Sequence, residues 1–152
     1  MKIEWSEPRE LIIDNIDKVK KGTRGVYYLT HRNGDSYEQP FRVGQAIDIN
    51  ERLKDYLKID QVTWKSEETR KCLLKHAKRG NRWFRIALLT DELVAQFGNN
   101  VDKALDELEN VAEKSFGGKD NIECNIIAAP TPQESSPKDL FGSEVIKELF
   151  GK

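Results

Sequence analysis

The chain has 152 residues, 34% of them charged and 38% apolar, with a formal net charge of −1. That length suits one domain burying about two-thirds of its unfolded surface, and no run approaches the roughly 18–20 apolar residues needed to cross a bilayer, so no membrane partner is expected. The opening MKIEWSEPRE has neither an apolar stretch nor a small-residue cleavage site, and a cytoplasmic location is expected.

The small net charge hides a division. Between Lys18 and Arg85 there are seventeen Lys and Arg against eight Asp and Glu, and from Ile86 to Ala129 three against nine. Such asymmetry points either to a phosphate-facing surface in the first half or to ordinary solvated faces.

In chain order, Ser6 and Pro8 predict a helix start, with Leu11, Ile12, Ile16 and Val19 on one face and an end at Gly22. GVYYLTH reads as a strand, RNGD as an Asn-Gly turn, and YEQPFRVGQA as the returning strand, interrupted by Pro40. Asp48 predicts the cap of a helix to Leu57, and Ser66 the cap of a second helix that closes at Gly80. RWFRIALLT alternates and then runs apolar, as a central strand would. Thr90 or Asp91 opens a short helix, and NVDKALDELENVAEKSFGG is an amphipathic helix with Leu105 and Leu108 inside. CNIIAAP reads as a short strand, residues 130–137 as a linker and residues 138–152 as a last helix. The pattern predicts one α+β domain over 1–152. It comprises an N-terminal helix over 1–22, a core over 25–129 and an antiparallel sheet of about three strands flanked by helices.

Cys72 and Cys124 follow no CxxC spacing and are expected as two buried, reduced thiols. With only His31 and His76 beside them, they form no recognisable zinc ligand set.

GVY at Gly25–Tyr27, a turn, RVG at Arg42–Gly44 and then Arg52 in INERLKDYL together resemble the GIY-YIG nuclease domain. In that family two strands carry the GIY and YIG elements, and an arginine follows the second glycine by eight residues, the spacing of Gly44 and Arg52. Tyr56, one helical turn beyond, takes the place of a further polar residue. Glu109 in DELENVAEK and Asn125 in ECNIIAA match the family glutamate and asparagine, so the likeness spans residues 25–129. Arg42 stands where YIG begins with tyrosine. A cation there either holds the same phosphate or marks a domain that binds without cutting.

The resemblance implies a metal-dependent endonuclease acting on DNA, with Tyr27, Arg42, Arg52, Tyr56 and Glu109 catalytic and Gly25, Gly44 and Asn125 structural or positioning. Glu109 would hold Mg²⁺ or Mn²⁺, since such ions take one or two carboxylates and complete their shell with water and phosphate oxygen. Arg52 would grip the phosphate bidentately, and Tyr27 and Tyr56 would position water or relay its proton. Against this stand plainer roles: a packed tyrosine, an ion-paired surface arginine and an acidic helix face. Lys54, Lys58, Arg70, Lys71, Lys75, Lys78 and Arg79 offer a basic surface that would follow DNA phosphates with little sequence specificity. The alternatives are a catalytically inactive nucleic-acid-binding module and a protein-interaction module on the same fold.

Overall fold

The computed structural model describes residues 1–125. Its elements are β1 (Arg9–Glu10), α1 (Ile13–Ile16), β2 (Gly25–Asn33), β3 (Ser36–Tyr37), β4 (Arg42–Ala46), α2 (Ile49–Asp55), α3 (Glu67–Arg79), β5 (Arg82–Leu88), α4 (Asp91–Gln96) and α5 (Val101–Ser115). Short 3₁₀ turns lie at Ile59–Gln61, Lys119–Asn121 and Glu123–Asn125.

Alternation along β2 sets the layers. Tyr27 and Leu29 enter one apolar cluster with Ile49, Leu53, Tyr56, Leu73 and Phe84. Val26 enters a second with Val43, Ala87, Leu93, Leu105 and Leu108. Successive side chains of a strand leave on opposite faces, so α2 and α3 cover one face of the sheet and α4 and α5 the other. This is an α+β architecture with a five-stranded antiparallel sheet, in which three longer strands are extended by two of two residues each.

β2 is central. It pairs with β5 in the register Tyr27–Ile86 and with β4 in the register Tyr27–Gly44. β4 therefore lies at an edge among the described residues. The Asn33–Gly34 turn places β3 beside the outer end of β2, and residues 38–41, which include buried Pro40 and Phe41, separate β3 from β4. Asp48, Ser66 and Thr90 cap α2, α3 and α4 by accepting from Glu51 N–H, Thr69 N–H and Leu93 N–H.

The N-terminus departs from expectation. In place of a helix through residues 6–22 there is a two-residue strand and a single helical turn. The edge of β5 takes the chain instead: Arg9 and Glu10 pair with Phe84 and Trp83, and Ser6 exchanges hydrogen bonds with the Ile86 backbone through its own N–H and Oγ. Ile12, expected inside, is 41% exposed. The anticipated strand at CNIIAAP begins as the 3₁₀ turn Glu123–Asn125. Its remainder, the linker over 130–137 and the helix over 138–152 lie outside the described residues.

Candidate active site

Four of the expected residues meet on the face covered by α2. Tyr27 from β2 and Tyr56 just past α2 are both fully buried, and their Oη atoms are 2.6 Å apart. Arg42 from β4 donates from Nε to Tyr56 Oη at 3.2 Å and from Nη1 to the Cys124 carbonyl at 2.8 Å. The Arg52 guanidinium lies 4.8 Å from the Trp64 ring and 5.6 Å from the Tyr56 ring, and its Nη1 is 2.9 Å from Asp55 Oδ2. Two arginines thus cover two phenols. Burial pushes the Tyr27 phenol well above its ordinary range, a tendency that Tyr56 reinforces and Arg52 and Arg42 oppose. Tyr27 is therefore a hydrogen-bonding neutral phenol at physiological pH, suited to positioning a water or passing a proton rather than to serving as a resident phenolate.

Gly44 makes this arrangement possible. It faces Tyr27 across the β2–β4 pair, and a Cβ at position 44 would stand 2.2 Å from Tyr27 Oη and 2.5 Å from Cζ. Gly25 answers a different constraint: a Cβ there would stand 2.0 Å from the Ala87 carbonyl oxygen of β5.

Glu109 belongs to the other layer. Arg42 and Gly44 alternate with Val43 and Gln45 along β4, and Gln45 donates from Nε2 to Glu109 Oε1 and Asp106 Oδ1, both at 2.7 Å. Glu109 thus lies across edge strand β4 from the phenols, with α5, and does not join them directly. Burial raises its carboxyl pKa and the Gln45 bond opposes that; Glu113 and Asp106 raise it further, while the charge of Arg42 lowers it. Asp106, Glu109 and Glu113 line an open groove of about 480 Å³.

Asn125 connects the two layers. Its Oδ1 accepts from Val43 N–H at 3.0 Å, and its Nδ2 donates to the Val43 carbonyl at 2.9 Å and to Glu113 Oε2 at 2.8 Å. The side-chain amide thereby occupies the hydrogen-bonding edge of β4 as a neighbouring strand would.

The basic face is partly neutralised. Lys54 pairs with Asp17 and Glu51, Arg70 with Asp60 and Glu67, Lys75 with Glu123 and Arg79 with Glu38. Lys58, Lys71 and Lys78 are exposed and form no salt bridge among the described residues.

The cysteine expectation is corrected. Cys72 and Cys124 form a disulfide, because α3 and the turn at Glu123–Asn125 lie side by side although 52 residues separate the two positions. His76 lies beside this disulfide, and one of its ring nitrogens and the two sulphurs are within 4.8 Å of one another. The Cys72-to-His76 step of four residues, one helical turn on a single face, was the available sequence signal. Gln45 and Trp64, which hold Glu109 and Arg52, gave no such signal.

The chain matches no family model, no characterised protein and no solved structure in the comparisons made.

Proposed function

We propose that this domain is a GIY-YIG-like, metal-dependent endonuclease hydrolysing DNA phosphodiester bonds. The observation that carries the reading is the phenol pair Tyr27–Tyr56, seated over a glycine and flanked by Arg42 and Arg52. Phosphodiester hydrolysis needs cationic donors for the attacked phosphate and a group that orients water. Arg52 is only partly exposed and its guanidinium already lies over the Trp64 and Tyr56 rings, so it is held for phosphate recognition once a phosphate oxygen replaces Asp55. Arg42 provides a second positive charge where the family pattern has a phenol.

The donor set at Glu109 suits a hard cation. Four carboxylates, Asp106, Glu107, Glu109 and Glu113, line the groove on α5 beside Lys103, and the burial that chiefly raises the pKa of Glu109, with the repulsion of Glu113 and Asp106, is what a divalent ion would offset. Glu109 would hold Mg²⁺ or Mn²⁺, with Asp106 and Glu113 beside it, and the ion would supply Lewis-acid stabilisation of phosphate charge. A backbone phosphate would then straddle the edge of β4, with arginines on one side and carboxylate on the other. Lys58, Lys71 and Lys78 on and before α3 would contact flanking phosphates, with little dependence on sequence. A cytoplasmic location accords with this reading, and no described helix is long and apolar enough to cross a membrane.

The test is cleavage of nicked, branched and plain duplex DNA with Mg²⁺ or Mn²⁺, comparing the protein with Arg52→Ala and Glu109→Ala. Loss of metal-dependent cleavage in both variants is expected. No cleavage under any of these conditions, or equal cleavage by all three proteins, overturns the enzymatic reading.

A second reading, a nucleic-acid-binding module without catalysis, is favoured by one specific observation: Arg42 spends Nη1 on the Cys124 carbonyl and Nε on Tyr56. It predicts binding that survives EDTA and the Glu109→Gln substitution while weakening steeply with salt.

A further inference from the structure

Beneath α3, on the same face of the sheet as the phenols and further along β2, a chain of hydrogen bonds runs through two buried histidines. His31 Nδ1 is 2.8 Å from the Gly80 carbonyl, His31 Nε2 is 2.7 Å from His76 Nδ1, and His76 Nε2 is 2.9 Å from Glu123 Oε1. Phe41 stacks on the His76 ring at 4.1 Å, fixing its plane.

The chain has an acceptor at each end, a carbonyl and a carboxylate, so its tautomers follow by counting. Gly80 O can only accept, which places a hydrogen on His31 Nδ1 and leaves Nε2 with a lone pair. That lone pair must receive a hydrogen from His76 Nδ1. His76 Nε2 is then left as a lone pair facing a carboxylate. Two neutral imidazoles carry two hydrogens, and the three contacts require three. The contact between His76 Nε2 and Glu123 therefore calls for one additional cation, a proton or a metal ion.

Two sulphurs stand beside His76. Cys72 lies one turn before His76 on α3, Cys124 follows Glu123 directly, and a ring nitrogen of His76 and both sulphurs lie within 4.8 Å of one another. Tetrahedral zinc, with Zn–S of about 2.3 Å and Zn–N of about 2.0 Å, holds its ligand atoms roughly 3.5–3.8 Å apart, inside that span. The carbonyl–His31–His76 chain is also the outer arrangement that fixes a ligating imidazole in its tautomer.

We propose that the reduced protein binds Zn²⁺ through Cys72, Cys124 and His76, with Nε2 as the histidine donor and Glu123 or water completing the shell. Disulfide and zinc are alternative closures of one staple between α3 and the turn at Glu123–Asn125. A dithiol reductant breaks the S–S bond by giving two electrons and two protons to the sulphurs and becoming its own disulfide. Zinc then displaces both thiol protons. In a cytoplasm that keeps thiols reduced, the metal form would hold the Cys124 carbonyl under Arg42 and Asn125 against β4. The inference rests on the sulphurs and histidines and stands whether or not the domain cuts DNA.

The experiment is cobalt titration of the full chain after reduction by a dithiol, removed anaerobically by gel filtration. One Co²⁺ per chain is expected, with a thiolate-to-cobalt band in the near ultraviolet and tetrahedral visible bands, and zinc should displace it. The oxidised protein should show no such band, nor should reduced Cys72→Ser. His31→Gln, which retains every ligand but loses the orienting bond, should weaken cobalt binding by about 10–100-fold. If the reduced chain unfolds without metal, restoration of its circular dichroism by one equivalent of zinc supports the proposal equally. A reduced protein with no thiolate–cobalt band, a band retained by Cys72→Ser, or the same uptake by the oxidised chain overturns it.

Discussion

Tyr27 and Tyr56 share a hydrogen bond of 2.6 Å inside the core, and Arg42 closes over it by donating to Tyr56. Tyr56 is thus the middle of a three-member chain and Tyr27 its end. Tyr56→Phe leaves both neighbours short of a partner and is expected to cost about 1–3 kcal/mol, whereas Tyr27→Phe, which leaves Arg42 bonded, should cost about 0.5–1.5 kcal/mol. Urea unfolding of the two variants checks the order. A larger loss for Tyr27→Phe contradicts this view of the chain.

Glycine 44 makes a prediction of opposite sign to the usual rule. Replacing a glycine in ordinary backbone geometry by alanine stabilises by about 0.4–1 kcal/mol through the unfolded state. Here the new methyl would meet a phenol that is packed on every side, so Gly44→Ala should destabilise by about 1–3 kcal/mol and displace Tyr27. Gly25→Ala confronts a backbone carbonyl that cannot rotate away, and its thermal midpoint should fall further than that of Gly44→Ala.

Much of this was legible beforehand, and the reasons are local. Caps at Asp48, Ser66 and Thr90, the Asn33–Gly34 turn and the amphipathic α5 all depend on residues within a few positions of one another. The juxtaposition of Tyr27 with Gly44 followed from a hairpin, again a local device. The N-terminus was misread because Leu11, Ile16 and Val19 have a spacing that suits a helix, while the unpaired edge of β5, more than seventy residues away, draws Arg9 and Glu10 into extended pairing. The disulfide and the two-histidine chain likewise join residues 45 or more positions apart, a separation that carries no periodic signal. The placement of Glu109 across β4 could not be read either, because the side of the sheet that α5 takes depends on the strand alternation it must bury.

Asn125 offers a test of how the edge of β4 is closed. It makes two bonds to Val43 and one to Glu113 while buried. Asn125→Ala leaves the Val43 N–H and carbonyl without these partners, at an expected cost of about 2–4 kcal/mol from two or more lost bonds. Hydrogen exchange at the Val43 amide should accelerate while that of the β2–β5 ladder is retained. Unchanged exchange at Val43 would show that the amide is not what protects it.

The raised pKa of Glu109 carries a sign. Its folded value lies above the ordinary carboxylate range, so the folded state holds a proton more tightly than the unfolded chain. The stability this contributes is complete below the unfolded pKa and is lost as pH rises through the folded one. Glu109→Gln, which keeps an acceptor for Gln45, should therefore gain on the wild type as pH rises through that window, in paired urea titrations at acidic and neutral pH. Mg²⁺ should reverse the difference by stabilising only the wild type, and chelation with EDTA should restore it.

The staple between Cys72 and Cys124 closes a loop of 52 residues, for which the chain-entropy model gives about 4 kcal/mol, with measured cases falling between about 0 and 5. Reduction in the absence of metal should therefore lower the urea midpoint, and Cys72→Ser should reproduce the effect without further loss on adding reductant. The damage should also be spatially selective. The turn at Glu123–Asn125 supplies the Cys124 carbonyl to Arg42 and the Asn125 amide to β4, so freeing it loosens the roof over Tyr27 and Tyr56 before it affects β5 or α4. Exchange at β4 and in the turn should rise first on reduction, and at the central strands only on global unfolding. Uniform acceleration across the sheet would mean that the bridge acts on the whole domain rather than on the cover of its candidate site.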